Sequence, residues 1–132
     1  MKSLCFIATI FLLNTLQASN KIWQDNISGT WQGTSICQVK DSPCHDETAI
    51  YHAIKAGGNT YRFQMNKMVN SKEEEMGETV FTYDANNKTL DGVTMSAKGK
   101  GLWHFVVKGN TIHGTLTVDN NVIYRVIDLH KD

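Results

Sequence analysis

The sequence predicts a single all-β domain, folded as an eight-stranded antiparallel up-and-down barrel. Three observations support this fold class. Runs rich in Thr, Val, Ile, Tyr, Phe and Trp recur along the chain, several of them alternate apolar and polar residues, and clusters of Gly and Asn separate them. The runs are typical of strands, and Gly and Asn accept the positive φ that tight hairpins require. No segment shows a persuasive helical period.

The turn clusters divide the chain into eight predicted strands. Alternation is clearest in the third strand, where Tyr61, Phe63 and Met65 share one face, as expected of a half-buried antiparallel strand. In the last strand it places Ile123 and Ile127 together on the inner face. The predicted strands span residues 28–38, 48–56, 60–69, 76–84, 89–97, 102–108, 111–118 and 122–130.

The short connections indicate that consecutive strands pair with one another. An open sheet of this kind would expose two unpaired edges, and closure into a barrel removes them. A closed barrel is therefore favoured over a sandwich. The acidic run at residues 73–75 is expected at a solvated hairpin end before the fourth strand, because like charges repel and avoid burial.

The N-terminus has the three parts of a secretory signal peptide. Lys2 supplies the positive charge, residues 4–13 form an almost unbroken apolar run, and the small residues Ala18 and Ser19 follow a polar stretch. A membrane-spanning helix needs ~20 apolar residues, and this run is much shorter. We therefore predict a cleaved leader at residues 1–18. Residues 19–132 would form an exported domain, periplasmic or extracellular, with no membrane insertion after cleavage.

Removal of the leader would leave two cysteines, Cys37 and Cys44. An even pair in an oxidising compartment predicts a disulfide. The alternative is a thiolate metal site, but two cysteines without a second Cys or His pair at fixed spacing match zinc patterns poorly. The disulfide is therefore favoured, and no metal or other cofactor is predicted.

The charge balance limits the expected partners. The chain has 13 basic and 13 acidic residues, and loss of Lys2 with the leader would leave a small excess of acid. A nucleic-acid-binding protein would be far more basic, so nucleic acid is not an expected partner. The expected partners are a small apolar ligand or an exported protein, and the domain is expected to be a monomer.

The first strand carries Gly29-Thr30-Trp31, and the last strand carries Arg125. This pattern resembles the calycin superfamily of lipocalins and fatty-acid-binding proteins, and the short chain is most similar to the small lipocalin-like barrels of bacteria. The resemblance implies a tryptophan that plugs one end of the barrel and an arginine stacked on its indole ring. It also implies ligand binding inside the barrel without catalysis. Trp31 and Arg125 are therefore expected to be structural residues.

Large side chains expected to face the barrel interior are the candidate ligand-binding residues. An eight-stranded barrel is just wide enough to be filled by side chains or to hold one small ligand, and the sequence leaves both outcomes open. The candidates are Tyr61, Phe63, Met65, Phe81, Tyr83, Trp103 and Phe105, with Met95 as a further member of the lining.

The segment Cys44-His45-Asp46-Glu47 is the most polar part of the loop after the first strand. His45, Asp46 and Glu47 could bind a metal or a protein partner, or could simply face water in a loop pinned by the disulfide. Three adjacent residues do not easily converge on one ion, because neighbours on a strand point apart. Of the two functional interpretations, a partner-binding loop is therefore favoured over a metal site.

No catalytic motif stands out. The chain has no Gly-x-Ser-x-Gly elbow, no Ser-x-x-Lys pair and no phosphate loop, and its histidines lack a metal-binding spacing. His104 and His113 fall on adjacent strands and are expected to be surface residues. We therefore predict a non-enzymatic binding protein that takes a small apolar ligand into the barrel. The alternative is an exported protein-binding module, such as a hydrolase inhibitor, that acts through residues 37–47.

Overall fold

The computed structural model describes residues 25–97 and 99–132. The predicted leader and its cleavage site lie outside the described residues. The described chain forms eight antiparallel strands that pair in sequence order and close by pairing of the first strand with the last. The predicted barrel is therefore confirmed. Among the described residues, no helix is long and apolar enough to cross a bilayer.

The strand bounds agree with the predicted ones to within one residue, except at the starts of the fourth and sixth strands. A short 3₁₀ turn at Asp119–Asn121 joins the last two strands. The strands are β1 (Gly29–Cys37), β2 (Glu47–Gly57), β3 (Thr60–Val69), β4 (Lys72–Asp84), β5 (Thr89–Ser96), β6 (Gly99–Lys108), β7 (Thr111–Val118) and β8 (Val122–His130).

β4 begins at Lys72 rather than at residue 76, so the acidic run lies inside the strand and not before it. Glu73, Glu74 and Glu75 pair with β3, and all three side chains are exposed. The prediction that these three charges are exposed to water is confirmed. The prediction that they precede the fourth strand is wrong. A strand at the rim of a barrel can carry consecutive charges because its side chains remain in water on both faces.

Inward-facing aromatic side chains fill the half of the barrel that holds the start of β1. The ring centres of Phe63 and Phe81 are 4.7 Å apart, and those of Phe81 and Phe105 are 4.9 Å apart. None of these three side chains is exposed. Burial of a side chain of this size contributes about 1.5–3 kcal/mol. This half of the barrel is therefore a packed core.

The N-terminal segment and Trp31 close the same end of the barrel, which is termed the closed end. Ile27 and Trp31 are buried, and the indole Nε1 of Trp31 donates a hydrogen bond to the carbonyl oxygen of Ile27 at 2.8 Å. Asp25 accepts hydrogen bonds from the backbone N–H groups of Ile27 at 3.0 Å and Ser28 at 2.5 Å. The turn is thus fixed beneath the indole ring.

The cation over the Trp31 ring is Lys131 and not Arg125. The Nζ atom of Lys131 lies 5.0 Å from the ring centre. Arg125 pairs with Cys37 in the β1–β8 ladder, which places it ~20 Å further along β1, at about 3.3 Å per residue. This corrects the expectation that Arg125 stacks on the tryptophan. The position over the indole ring is occupied by Lys131, which follows the last strand.

A β-bulge changes which side chains face inward at the start of β8. The register shifts between Leu116 and Thr117 of β7 and leaves Tyr124 without a partner in this ladder. Ile123 is consequently 47% exposed, whereas Ile127 is buried. The expectation that both share the inner face is therefore wrong. A period of two fails at this point because a bulge adds one residue to one strand.

The ladder between β4 and β5 is short. Residues 81–84 of β4 pair with residues 89–92 of β5, although β4 starts at Lys72 and β5 continues to Ser96. The two strands therefore separate beyond Gly92, toward the end of the barrel opposite Trp31. That end is termed the mouth, and the gap between β4 and β5 is termed the slit.

Candidate functional site

A cavity of about 400 Å³ lies at the mouth, next to the aromatic core. Every strand of the barrel contributes at least one lining residue. Residues 76–79 of β4 and 94–96 of β5 both line it, so the slit forms one of its sides. The incomplete β4–β5 ladder thus produces a concave site in a barrel whose other half is packed.

A second cavity of about 420 Å³ adjoins the first. The two share Thr94, Ser96 and Leu116 in their linings. The second is also bordered by Ser42 and Pro43 of the loop between β1 and β2. The mouth is therefore a depression in two parts, one at the slit and the other beside this loop.

The wall of the first cavity is apolar where it meets the core. Met65 is 5% exposed and Leu116 is 9% exposed. Trp103 is half-buried, and its indole Nε1 donates a hydrogen bond to Oγ1 of Thr94 at 3.1 Å. Because this bond satisfies the indole N–H group, the remaining surface of the ring is apolar. The wall thus suits the body of an apolar ligand.

One polar corner interrupts the apolar wall. Arg125 donates hydrogen bonds to Oε1 of Glu47 at 3.3 Å and to the carbonyl oxygens of Ser35 at 3.3 Å and His45 at 3.0 Å. The side chains of Arg125 and Glu47 are 11% and 15% exposed. The guanidinium is thus paired with a carboxylate inside the wall. Arg125 joins β1, β2 and β8 at the mouth.

Tyr51 lies beside this polar corner and is almost fully buried. Burial raises the pKa of Tyr51 to about 12, and the nearby Glu47 carboxylate adds to the rise. A hydrogen bond to Ser35 and the charge of Arg125 act in the opposite direction. The phenol is therefore protonated at ordinary pH and contributes a neutral hydroxyl to the corner.

Part of the predicted ligand-binding set reaches the cavity. Met65 and Trp103 line it, whereas Phe63, Phe81 and Phe105 belong to the packed core. Alternation alone does not distinguish these two groups, because all five side chains project from inward positions. Their height along the barrel axis decides which of them reach the mouth.

The other candidates lie at the two ends of the barrel. Tyr61 and Tyr83 meet edge to face at the closed end, with ring centres 6.2 Å apart, away from the cavity. Met95, which the sequence interpretation places in the interior lining, is 75% exposed and lies at the slit. In β5 the buried positions are Leu90 and Gly92, so the alternation places residue 95 on the outer face.

The sequence-based set omits Tyr51, Met76 and Leu116, which also line the cavity. Tyr51 and Leu116 occupy inward positions of β2 and β7, so the alternation of apolar and polar residues is sufficient to predict that both face the interior. The alternation does not predict the position of Met76. The β3–β4 register shifts between Met65 and Asn66, and this shift leaves Met76 unpaired in a bulge.

The residues predicted to present the loop between β1 and β2 also hold it in place. Cys37 and Cys44 form the predicted disulfide. Oδ1 of Asp46 accepts a hydrogen bond from the backbone N–H of Cys37 at 2.9 Å, and Glu47 forms the ion pair described above. The side chain of His45 is exposed. The two carboxylates therefore serve the loop's own structure.

Two histidine–aspartate pairs lie on the outer wall. His104 pairs with Asp91 at 2.6 Å and His113 pairs with Asp128 at 2.5 Å, and all four side chains are more than half exposed. His104 and His113 are thus surface residues, as expected. Within residues 25–97 and 99–132, no group of three His, Cys, Asp or Glu side chains could hold a metal ion.

Comparisons of the chain with protein-family models, with curated proteins and with solved structures found no match. The function is therefore inferred from the mouth of the barrel, where the cavity, its apolar wall and the disulfide loop lie together.

Proposed function

We propose that the protein is an exported, non-enzymatic binding protein that takes a small apolar ligand into the mouth cavity. The cavity itself carries the proposal. Its volume of about 400 Å³ falls in the range of roughly 300–1,000 Å³ that is typical of ligand pockets. The packed aromatic core next to it supports the wall, so the site requires little reorganisation to accept a ligand.

The polar corner of the lining favours an uncharged ligand. Arg125 is already paired with Glu47, and Tyr51 is neutral, so a charged group entering this corner would lose hydration without gaining a free countercharge. Met65 and Leu116 offer apolar contacts, and a methionine side chain adapts readily to the shape of a ligand. We therefore expect a compact, predominantly apolar molecule.

Two further features support the proposal. The calycin resemblance implies a ligand inside a barrel whose end is plugged by a tryptophan, and Trp31 is buried at the closed end. The disulfide between Cys37 and Cys44 is compatible with an oxidising compartment outside the cytoplasm. A lipocalin-like carrier or sensor that works after export fits both features.

Titration with a neutral fluorescent hydrophobe, N-phenyl-1-naphthylamine, tests the proposal. We expect saturable binding with enhanced probe emission. Leu116→Trp fills the cavity and should weaken binding at least about tenfold. Leu102→Trp is the matched control, because Leu102 is 42% exposed on the outer wall of β6. Absence of saturable binding, or equal weakening by both variants, would contradict a ligand site at the mouth.

The alternative function is an exported protein-binding module, such as a hydrolase inhibitor, that acts through residues 37–47. The disulfide and the hydrogen bond from Cys37 to Asp46 fix the base of this loop, while Lys40 and Pro43 are exposed. A rigid loop of this kind suits recognition. Retention of an exported protein by the wild type, but not by Lys40→Glu, with unchanged probe binding would favour this alternative.

A further inference from the structure

Three of the four methionines that the structure describes line the mouth cavity. Met65 lies against the core, 5% exposed, while Met76 on β4 and Met95 on β5 lie on opposite sides of the slit. The fourth, Met68, lines a different depression beside the disulfide loop. One cavity thus gathers thioether side chains from three neighbouring strands.

Packing alone does not account for these methionines. Met76 and Met95 are 42% and 75% exposed, so neither fills the core. Met76 lies in a bulge of β4 and Met95 at an outward position of β5, both at the edge of the slit. Their unbranched side chains can turn across that edge toward the cavity at little cost. Met65 is held in place, because the hydroxyl of Thr79 donates a hydrogen bond to its Sδ atom at 3.5 Å. The site therefore combines one fixed sulfur with two adaptable ones.

Thioether sulfur is a soft, uncharged ligand, and soft sulfur ligands select Cu(I) among biological metal ions. The harder ligands at the cavity are already engaged. Glu47 pairs with Arg125 at 3.3 Å, and Glu78 lies 3.6 Å from Arg62. Cys37 and Cys44 are joined in the disulfide, so neither offers a thiolate to the ion. A neutral sulfur set also suits a monovalent ion better than a divalent one, because less charge is desolvated.

We propose that Met65, Met76 and Met95 bind one soft monovalent cation, Cu(I) or the chemically similar Ag(I), at the slit. The ion joins β3, β4 and β5 at the height where the β4–β5 ladder has ended. This inference goes beyond the binding of an apolar ligand. The two use the same cavity, but neither requires the other.

Ag(I) is the probe for the test, because it keeps its oxidation state in air. The purified protein is labelled with ¹³C at the methionine methyl groups and titrated with silver nitrate. One equivalent of Ag(I) should shift the methyl signals of Met65, Met76 and Met95 and leave that of Met68 in place. A shift of Met68 equal to the others, or no shift at one equivalent, would overturn the proposal.

Leucine variants test whether the thioether sulfurs hold the ion. Met76→Leu and Met95→Leu should each weaken Ag(I) binding at least about tenfold, and the control Met68→Leu less than about twofold. Leucine keeps the apolar volume of methionine, so a loss of Ag(I) affinity reports on the thioether sulfur and not on the shape of the cavity. Unchanged Ag(I) affinity in the Met76→Leu, Met95→Leu double variant would overturn the metal site. Absence of saturable N-phenyl-1-naphthylamine binding by the wild type, with Ag(I) binding intact, would instead overturn the apolar-ligand function and leave the metal site standing.

Discussion

The ammonium group of Lys131 lies 5.0 Å from the centre of the Trp31 indole ring and donates hydrogen bonds to the carbonyl oxygens of Asn26 and Ser28 at 2.7 and 3.2 Å. One side chain beyond the last strand thus contacts both the plug and the turn that leads into β1. A cation over an indole face contributes about 0.5–2 kcal/mol, depending on its hydration. The closed end therefore depends on the C-terminal residues of the chain.

Lys131→Ala should lower the free energy of unfolding by about 1–2 kcal/mol, because it removes the cation over the indole and two hydrogen bonds. Urea denaturation followed by circular dichroism measures the change. Lys108→Ala is the control, because this lysine is exposed, and its effect should stay within about 0.5 kcal/mol. Equal effects of the two substitutions would show that the contact with Trp31 does not stabilise the fold.

Trp31→Ala should be far more costly. The ring is fully buried, and replacement of a buried aromatic side chain by alanine costs about 3–5 kcal/mol. The substitution also leaves the carbonyl oxygen of Ile27 without its indole donor. The same urea experiment applies, and a loss below about 0.5 kcal/mol would be incompatible with a plug at this position.

The disulfide should resist alkylation and stabilise the loop. Without reductant, iodoacetamide should label neither Cys37 nor Cys44, whereas both should react after reduction and unfolding. The two cysteines are 7 positions apart, and closure of so short a loop is worth about 2.5 kcal/mol on the chain-entropy model. The Cys37→Ser, Cys44→Ser double variant should lose stability of this order. Ready labelling of the native protein would contradict the bond.

The Arg125–Glu47 pair should show strong coupling in a double-mutant cycle. Both side chains are largely buried, so Arg125→Met leaves a carboxylate with no partner in the wall, and we expect a loss of about 2–4 kcal/mol. Adding Glu47→Leu removes the stranded charge and should restore part of the loss. Strictly additive single effects would show that the two groups act independently.

Tyr51 should make stability depend on pH in the alkaline range. Its pKa is raised by burial from 10.0 to about 12 in the folded protein. The folded state therefore holds the phenolic proton more tightly, and this contribution is complete below about pH 10 and lost between about pH 10 and pH 12. The loss amounts to about 2–3 kcal/mol. Tyr51→Phe should remove this part of the pH dependence in urea denaturation. Burial also raises the pKa of Tyr61, but Tyr61 is present in both proteins, so its contribution cancels in the comparison. An unchanged pH dependence in Tyr51→Phe would contradict the assignment to Tyr51.

Export predicts a defined mature N-terminus. If residues 1–18 are a cleaved leader, the protein recovered from outside the cytoplasm should begin at Ser19. Intact-mass measurement of that protein decides the point. A mass that includes the apolar run at residues 4–13 would contradict cleavage and, with it, the proposed location.

Turn residues and alternation are sufficient to predict the barrel. Each hairpin is formed by neighbouring residues, so its turn and its two strands can be recognised from a short stretch of sequence. The wrong placement of Ile123 and the omission of Met76 have a common cause. Both are displaced by β-bulges, which are set by pairing with another strand and leave no trace in the period of one strand. The Lys131–Trp31 contact cannot be predicted from the sequence for a related reason. It joins β1 to the segment that follows β8, and only the pairing of these two strands brings them together.

The slit also bears on how copies of this protein meet one another. Among the described residues, β4 before residue 81 pairs with β3 but not with β5, and a strand edge without a partner strand is a template for pairing with a second chain. Glu73, Glu74, Glu75 and Glu78 all fall on this stretch. Two molecules approaching edge to edge would bring these carboxylates together, and their repulsion opposes association until salt screens it. The acidic run therefore opposes edge-to-edge association of two molecules through the slit.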